Sequence, residues 1–143
     1  MIDHDVVNSV YRISAVTLMI KNMKRSCDFY SNIPGFRLAY GGSSNDSFTT
    51  FEIGGDMPKM YLNLELATNR NSEYDISPRH FGRVIFHTDN VDKLYSYFKG
   101  KEGISKIILF ENEPTNAPWG ERYFHILEPD GYQLSFAQPL NDI

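Results

Sequence analysis

Apolar and polar positions alternate from Ile13 onward: Val16, Leu18 and Ile20 fall on one side, Ala15, Thr17 and Met19 on the other. That two-residue period predicts a strand, since successive side chains of an extended backbone point to opposite faces. Asn22 then stands where a helix N-cap belongs. Met23, Cys27 and Tyr30 follow at helical spacing, predicting a helix from Met23 to Ile33 that Pro34 and Gly35 stop. Short strands are expected at residues 36–40 and 48–53. The cleanest alternation lies at residues 60–66, with Met60, Leu62, Leu64 and Leu66 opposite Tyr61, Asn63 and Glu65. Residues 67–78 are polar and unpatterned and read as a loop between two halves.

The pattern then restarts. Val84 and Phe86 face one way, Arg83, Ile85 and His87 the other. Asn90 caps a helix expected over residues 91–99, which buries Leu94 and either Phe98 or Tyr97. Residues 104–110 are expected to form a strand and 111–120 a loop. Residues 122–127 and 133–137 read as strands joined by the tight turn Glu128-Pro129-Asp130-Gly131, whose Pro and Gly suit a type I turn. Each half thus runs strand, capped helix, three strands, and placing Asn22 on Asn90 matches Leu18 with Phe86. This is an α+β chain. Each half has one apolar sheet face to bury. With the helices on the outside, a concave, more polar surface is left over. Its side chains are Thr17, Met19, Asn63, Glu65, Arg83, Ile85, His87, Tyr123, His125, Gln133 and Ser135, whereas Val84, Phe86, Phe124, Ile126, Leu134 and Phe136 face the core.

Three segments carry a resemblance to a known family: residues 15–36 (AVTLMIKNMKRSCDFYSNIPGF), 82–91 (GRVIFHTDNV) and 118–136 (PWGERYFHILEPDGYQLSF). In their order and spacing they resemble the opening strand and helix, the central strand and the closing hairpin of the vicinal oxygen chelate superfamily. That group contains glyoxalase I, bleomycin-resistance proteins, fosfomycin-resistance enzymes and extradiol dioxygenases. The resemblance implies two βαβββ modules forming a cupped mixed β-sheet with helices outside, usually in a homodimer, with a small-molecule site in each cup. The corresponding boundaries are an N-terminal extension at 1–12, a first module at 13–66, a linker at 67–81, a second module at 82–139 and a tail at 140–143.

Composition narrows the partners. With 14 Lys and Arg against 18 Asp and Glu, the net charge is −4, which argues against a nucleic-acid binder and mildly favours cationic ligands. No apolar run reaches the ~18 residues of a membrane span, and residues 1–11 do not read as a signal peptide. Cys27, the only cysteine, has no internal partner for a disulfide and excludes a zinc site built on several thiolates; it reads as a buried structural thiol. A cytoplasmic location is expected, with no membrane or nucleic-acid partner.

Metal-using members of the family supply ligands from four cup positions. The resemblance carries these onto Ala15, onto Asn63 or Glu65, onto Arg83 and onto Ser135. Ala15 has no donor atom, Arg83 is a permanent cation, and Ser135 is a weak neutral ligand. No cofactor is therefore expected at that centre. Glu65, His87 and His125 remain as candidates for a displaced divalent-metal site of two imidazoles and one carboxylate.

The other cup residues point to ligand binding. Arg83 needs an anion, either Glu65 in an internal pair or a ligand carboxylate or phosphate. His87 and His125 serve as polar lining or as general acid or base. Trp119, the only Trp, offers a stacking surface with Tyr123 and Tyr61, as the bleomycin-resistance branch uses for planar rings, or packs its loop onto its own sheet. Glu121 and Arg122 read as a surface pair. The expected function is a metal-independent, dimeric small-molecule binder, contacting its ligand through Thr17, Met19, Asn63, Glu65, Arg83, His87, Trp119, Tyr123, His125 and Ser135. The alternative is an enzyme of the same superfamily, either a metal-dependent lyase or dioxygenase using Glu65, His87 and His125 or a metal-free isomerase using one His as base.

Overall fold

The computed structural model describes residues 9–55, 59–67, 78 and 81–140. The expected N-terminal extension, linker and tail lie largely outside the described residues. The first strand, β1 (Ala15–Ile20), sends Leu18 and Ile20 into the core. Helix α1 (Met23–Tyr30) begins at Asn22, whose side chain accepts the Arg25 N–H at 2.9 Å. It buries Met23, Ser26, Cys27, Phe29 and Tyr30 along one stripe. The helix ends at Tyr30 rather than at Ile33. Ser31, Asn32 and Ile33 close the last turn with bonds back to Cys27, Phe29 and Tyr30 ahead of Pro34, which disfavours helix at the preceding residue. Gly35 then takes φ +95°, a conformation that side chains rarely adopt.

Strands β2 (Phe36–Tyr40), β3 (Phe48–Ile53) and β4 (Met60–Leu66) complete a four-stranded sheet in the order β1-β4-β3-β2. β1 and β4 are parallel, the others antiparallel. The second half repeats the plan. Strand β5 (Arg83–His87) leads through the Asn90 cap into α2 (Val91–Gly100). Later come β6 (Leu109–Phe110), β8 (Glu121–Leu127) and β9 (Gln133–Pro139), in the order β5-β9-β8-β6, again with the outer pair β5 and β9 parallel. The molecule is thus an α+β fold with two mixed sheets of four and five strands.

Two departures fall in the second half. The expected strand over 104–110 is a short helix, α3 (Glu102–Ser105), followed by the two-residue β6. Ile104, Ile107 and Ile108 pack into the core at three- and four-residue spacing, which is a helical rather than a strand period. The expected loop over 111–120 contains β7 (Thr115–Ala117), which pairs with β8.

One core serves both halves. Leu18, Phe29, Tyr30, Phe51 and Leu64 from the first meet Phe98, Phe124, Ile126, Leu134 and Phe136 from the second. Phe98 packs edge-on against Phe29, Phe124 and Phe136 at ring distances of 5.3–6.3 Å, a favoured aromatic geometry. Tyr97, the other candidate, stays partly exposed.

The Glu128–Gly131 turn also joins the halves. The Gly131 N–H donates to the Glu128 carbonyl at 2.8 Å, closing the expected turn. Asp130 accepts from the Lys21 N–H at 3.0 Å, from Arg25 at 3.2 Å and from the Ser26 hydroxyl at 3.1 Å. Tyr132 bonds through its hydroxyl to both the N–H and the carbonyl of Met19. Tyr30 donates to the Glu128 carboxylate at 2.9 Å. Burial, with Asp130 nearby, raises the Glu128 carboxyl to about 7.

Candidate functional site

Strand register decides which polar side chains meet. On the sheet built by β5, β9, β8 and β6, Arg83 stands beside Gln133 and Gln133 beside Leu127. The next rung toward the other end holds Ile85, Ser135 and His125, and the rung after that His87, Ala137 and Tyr123. The opposite side chains, Val84, Phe86, Leu134, Phe136, Phe124 and Ile126, pack into the core. That face therefore carries polar, aromatic and a few aliphatic side chains on one sheet.

At one end, Arg83 Nε donates to Gln133 Oε1 at 2.7 Å, and Gln133 Nε2 donates to Glu111 Oε1 at 2.7 Å. These residues line an open cavity of about 610 Å³ with Pro78, Gly82, Leu127 and Gly131. His125 lies within the influence of both charges. Its imidazole is held below the ordinary histidine value first by burial, then by Arg83, with Glu111 opposing. Its Nδ1 is buried without a partner among the described residues. Its backbone N–H is fixed by Asn112 Oδ1 at 2.8 Å.

The aromatic row continues from there. The His125 and Tyr123 rings lie 4.8 Å apart, and Trp119 stacks on Tyr123 at 6.3 Å with 18° between planes. Trp119 Nε1 donates to Glu121 at 3.0 Å, and His87 Nε2 lies 3.0 Å from the other oxygen of that carboxylate. These two contacts, Trp119 first, hold Glu121 below its usual range. Trp119 thus packs on its own sheet and still remains 71% exposed.

Other predicted contacts resolve differently. Arg83 does not pair with Glu65. Glu65 sits on the four-stranded sheet between Met19 and Phe48, while Arg83 engages Gln133 on its own sheet. Tyr61 lies on that first sheet beside Ala15, and among the described residues no ring contact joins it to Trp119 or Tyr123. Arg122 pairs with Asp92 at 2.9 Å rather than with Glu121. Thr17, Asn63 and Thr50 form their own ladder on the first sheet, with bonds of 3.2 and 2.8 Å. Ser135 is buried at 3% exposure. Gln133 was legible as cup-facing but not as a site residue, and Glu111 was hidden in a supposed loop. Alternation about Phe110, which packs on the core, would have placed Leu109 and Glu111 on the concave face.

The two halves can be superposed by register. Ala15 beside Tyr61 corresponds to Arg83 beside Gln133, and Thr17 beside Asn63 to Ile85 beside Ser135. The second carried-over metal position is then Asn63, not Glu65. The resulting set is a methyl, an amide, a guanidinium and a hydroxyl, which does not fit a divalent ion. Nor do Glu65, His87 and His125 converge: among the described residues no group of three or more His, Cys, Asp or Glu is placed to hold a metal.

A family model described as the glyoxalase/bleomycin resistance protein/dioxygenase superfamily matches residues 12–136, and the chain belongs to that superfamily. It is 27% identical over 132 residues to the Bacillus subtilis (strain 168) protein "Uncharacterized protein YwbC", covering 89% of this chain and 97% of that one. Among solved structures it resembles a glyoxalase/bleomycin resistance protein/dioxygenase from Nocardioides, with TM-score 0.65 and 21% identity over 98% of this chain and 91% of that one. It also resembles TioX from Micromonospora sp. ML1, with TM-score 0.66 and 16% identity over 91% of this chain and all of that one. These structural likenesses establish the fold. Among the described residues no helix is long and apolar enough to cross a membrane.

Proposed function

We propose that the chain is a metal-independent small-molecule binding protein whose ligand lies on the concave face of the β5-β9-β8-β6 sheet. The observation that carries this reading is that a charged end and an aromatic row share one face. A charged end at Arg83, Gln133 and Glu111 opens on a cavity of about 610 Å³, and the aromatic row His125–Tyr123–Trp119 runs away from it. A concave wall with a few convergent polar groups beside stacking surface suits a small organic ligand. Binding by affinity alone needs no metal, in keeping with the donor set at the carried-over positions. In this reading a second copy closes the cup, because Ile85 and Leu109 on the same face are 57% and 60% exposed, an arrangement that an interface would cover.

Trp119 supplies the test, since the chain has no other Trp. Aromatic ligands from a compound library should change its emission, and Arg83→Ala should weaken the charged binders among them. A library that leaves the emission untouched would refute the reading. So would one equivalent of Fe, Ni, Zn or Mn in the purified protein that His125→Ala removes. Light scattering should give the mass of a dimer. One observation favours a second reading, proton transfer by His125 without a metal: its Nδ1 is buried without a partner among the described residues, and burial and then Arg83, with Glu111 opposing, lower its hold on a proton. Catalysis by a base of that kind needs an unprotonated imidazole.

A further inference from the structure

Arg83 and Glu111 lie at one end of the concave face and do not pair with each other. The Gln133 side chain stands between them, accepting from Arg83 Nε at 2.7 Å and donating to Glu111 Oε1 at 2.7 Å. Both bonds together fix the amide's orientation, because its oxygen can only accept and its nitrogen only donate. They also leave each charged group with unused capacity. The terminal nitrogens of Arg83 have no partner among the described residues, and neither does Glu111 Oε2. A direct ion pair would have quenched both. The wedge instead holds a cationic fork and a carboxylate oxygen one amide group apart, at the rim of the same open cavity.

We propose that this wedge is a zwitterion clamp: a subsite for an amino-acid-like headgroup, whose carboxylate meets the Arg83 fork and whose ammonium meets Glu111. The inference rests on the binding function proposed above and adds the ligand class. Fork geometry suits a carboxylate or a phosphate, and Glu111 beside it favours the ligand that also carries an ammonium. A ligand with only one charge satisfies one side and gains nothing from the other, so the site favours the ligand that carries both. Beyond the headgroup, the row His125–Tyr123–Trp119 receives a planar side chain.

Three probes share one ring and differ only at the head: L-phenylalanine, 3-phenylpropanoate without the ammonium, and phenethylamine without the carboxylate. Amide chemical shifts of the full chain follow each titration near neutral pH. Phenylalanine should bind at least tenfold more tightly than either truncated probe, with shifts centred on residues 83–87, 111–113 and 121–127. Glu111→Gln should reduce phenylalanine to the level of 3-phenylpropanoate, and Arg83→Gln to that of phenethylamine. Equal binding of all three probes by the wild-type chain overturns the clamp and needs no variant. Selectivity that survives both substitutions overturns it as well, as does the absence of binding by all three. A parallel library of neutral and singly charged aromatics separates the two readings. If those bind this face while phenylalanine does not, the binding function stands and the clamp falls. If nothing binds the face, both fall.

Discussion

Glu128 should make this fold less stable as pH rises through neutrality, and Glu128→Gln should remove the effect. The residue is 3% exposed, in the turn that locks β8 and β9 onto α1. Its carboxyl sits at about 7 in the folded chain, because burial and then the Asp130 charge oppose ionisation, against an ordinary 4.5. The facing groups are Tyr30, Tyr132 and Asp130, with Arg25 turned to Asp130. An acid with a raised folded value binds more protons folded than unfolded between these two points. Stability from this group is therefore fully present below about pH 4.5 and lost as pH rises through about 7. At about 1.4 kcal/mol per pH unit, the gap is worth roughly 3 kcal/mol. Gln keeps an oxygen for the Asp130 and Tyr132 N–H groups and carries no charge. Urea unfolding of both proteins should show Glu128→Gln near wild type at pH 4.5 and about 2–3 kcal/mol more stable at pH 8. A difference between the two proteins that does not change across that range would refute the reasoning.

Other outcomes follow from the same geometry. Phe98→Ala, which removes a ring at the junction of both halves, should cost about 3–5 kcal/mol in urea unfolding. Arg83→Ala should move the melting temperature little, since its one hydrogen-bond partner among the described residues is Gln133 on an exposed face, while it weakens ligand binding. A large fall in melting temperature would contradict that placement of Arg83 on an exposed face. The His125 ring should titrate below the ordinary histidine value in an NMR pH series, and Arg83→Gln should move its midpoint up; no movement would remove Arg83 as a cause.

Local chemistry made much of this fold readable. Both Asn caps, at residues 22 and 90, accept from the backbone N–H three residues on, as their position before an apolar stripe predicts. Alternation in β1, β4, β5, β8 and β9 separated core from concave face correctly. The turn at Glu128 was likewise fixed by Pro129 and Gly131. What the pattern could not supply was the relation between strands. Whether Arg83 meets Glu65 or Gln133 depends on sheet membership and register, which no periodicity within one strand encodes. The misassigned segment at 104–110 shows a second limit: a short apolar run fits both periods, and burial of Ile104 from a single helical turn settles it. The resemblance of residues 15–36, 82–91 and 118–136 supplied the family and the cup, but not Glu111, which lies outside all three segments.

A crystal of the protein soaked with whichever compound most strongly shifts Trp119 emission would show directly where the ligand sits. Ordered ligand density is expected on the β5-β9-β8-β6 sheet, with a charged group against Arg83 and a ring against Tyr123 or Trp119. A ligand seated elsewhere, with that face left bare, would contradict that placement.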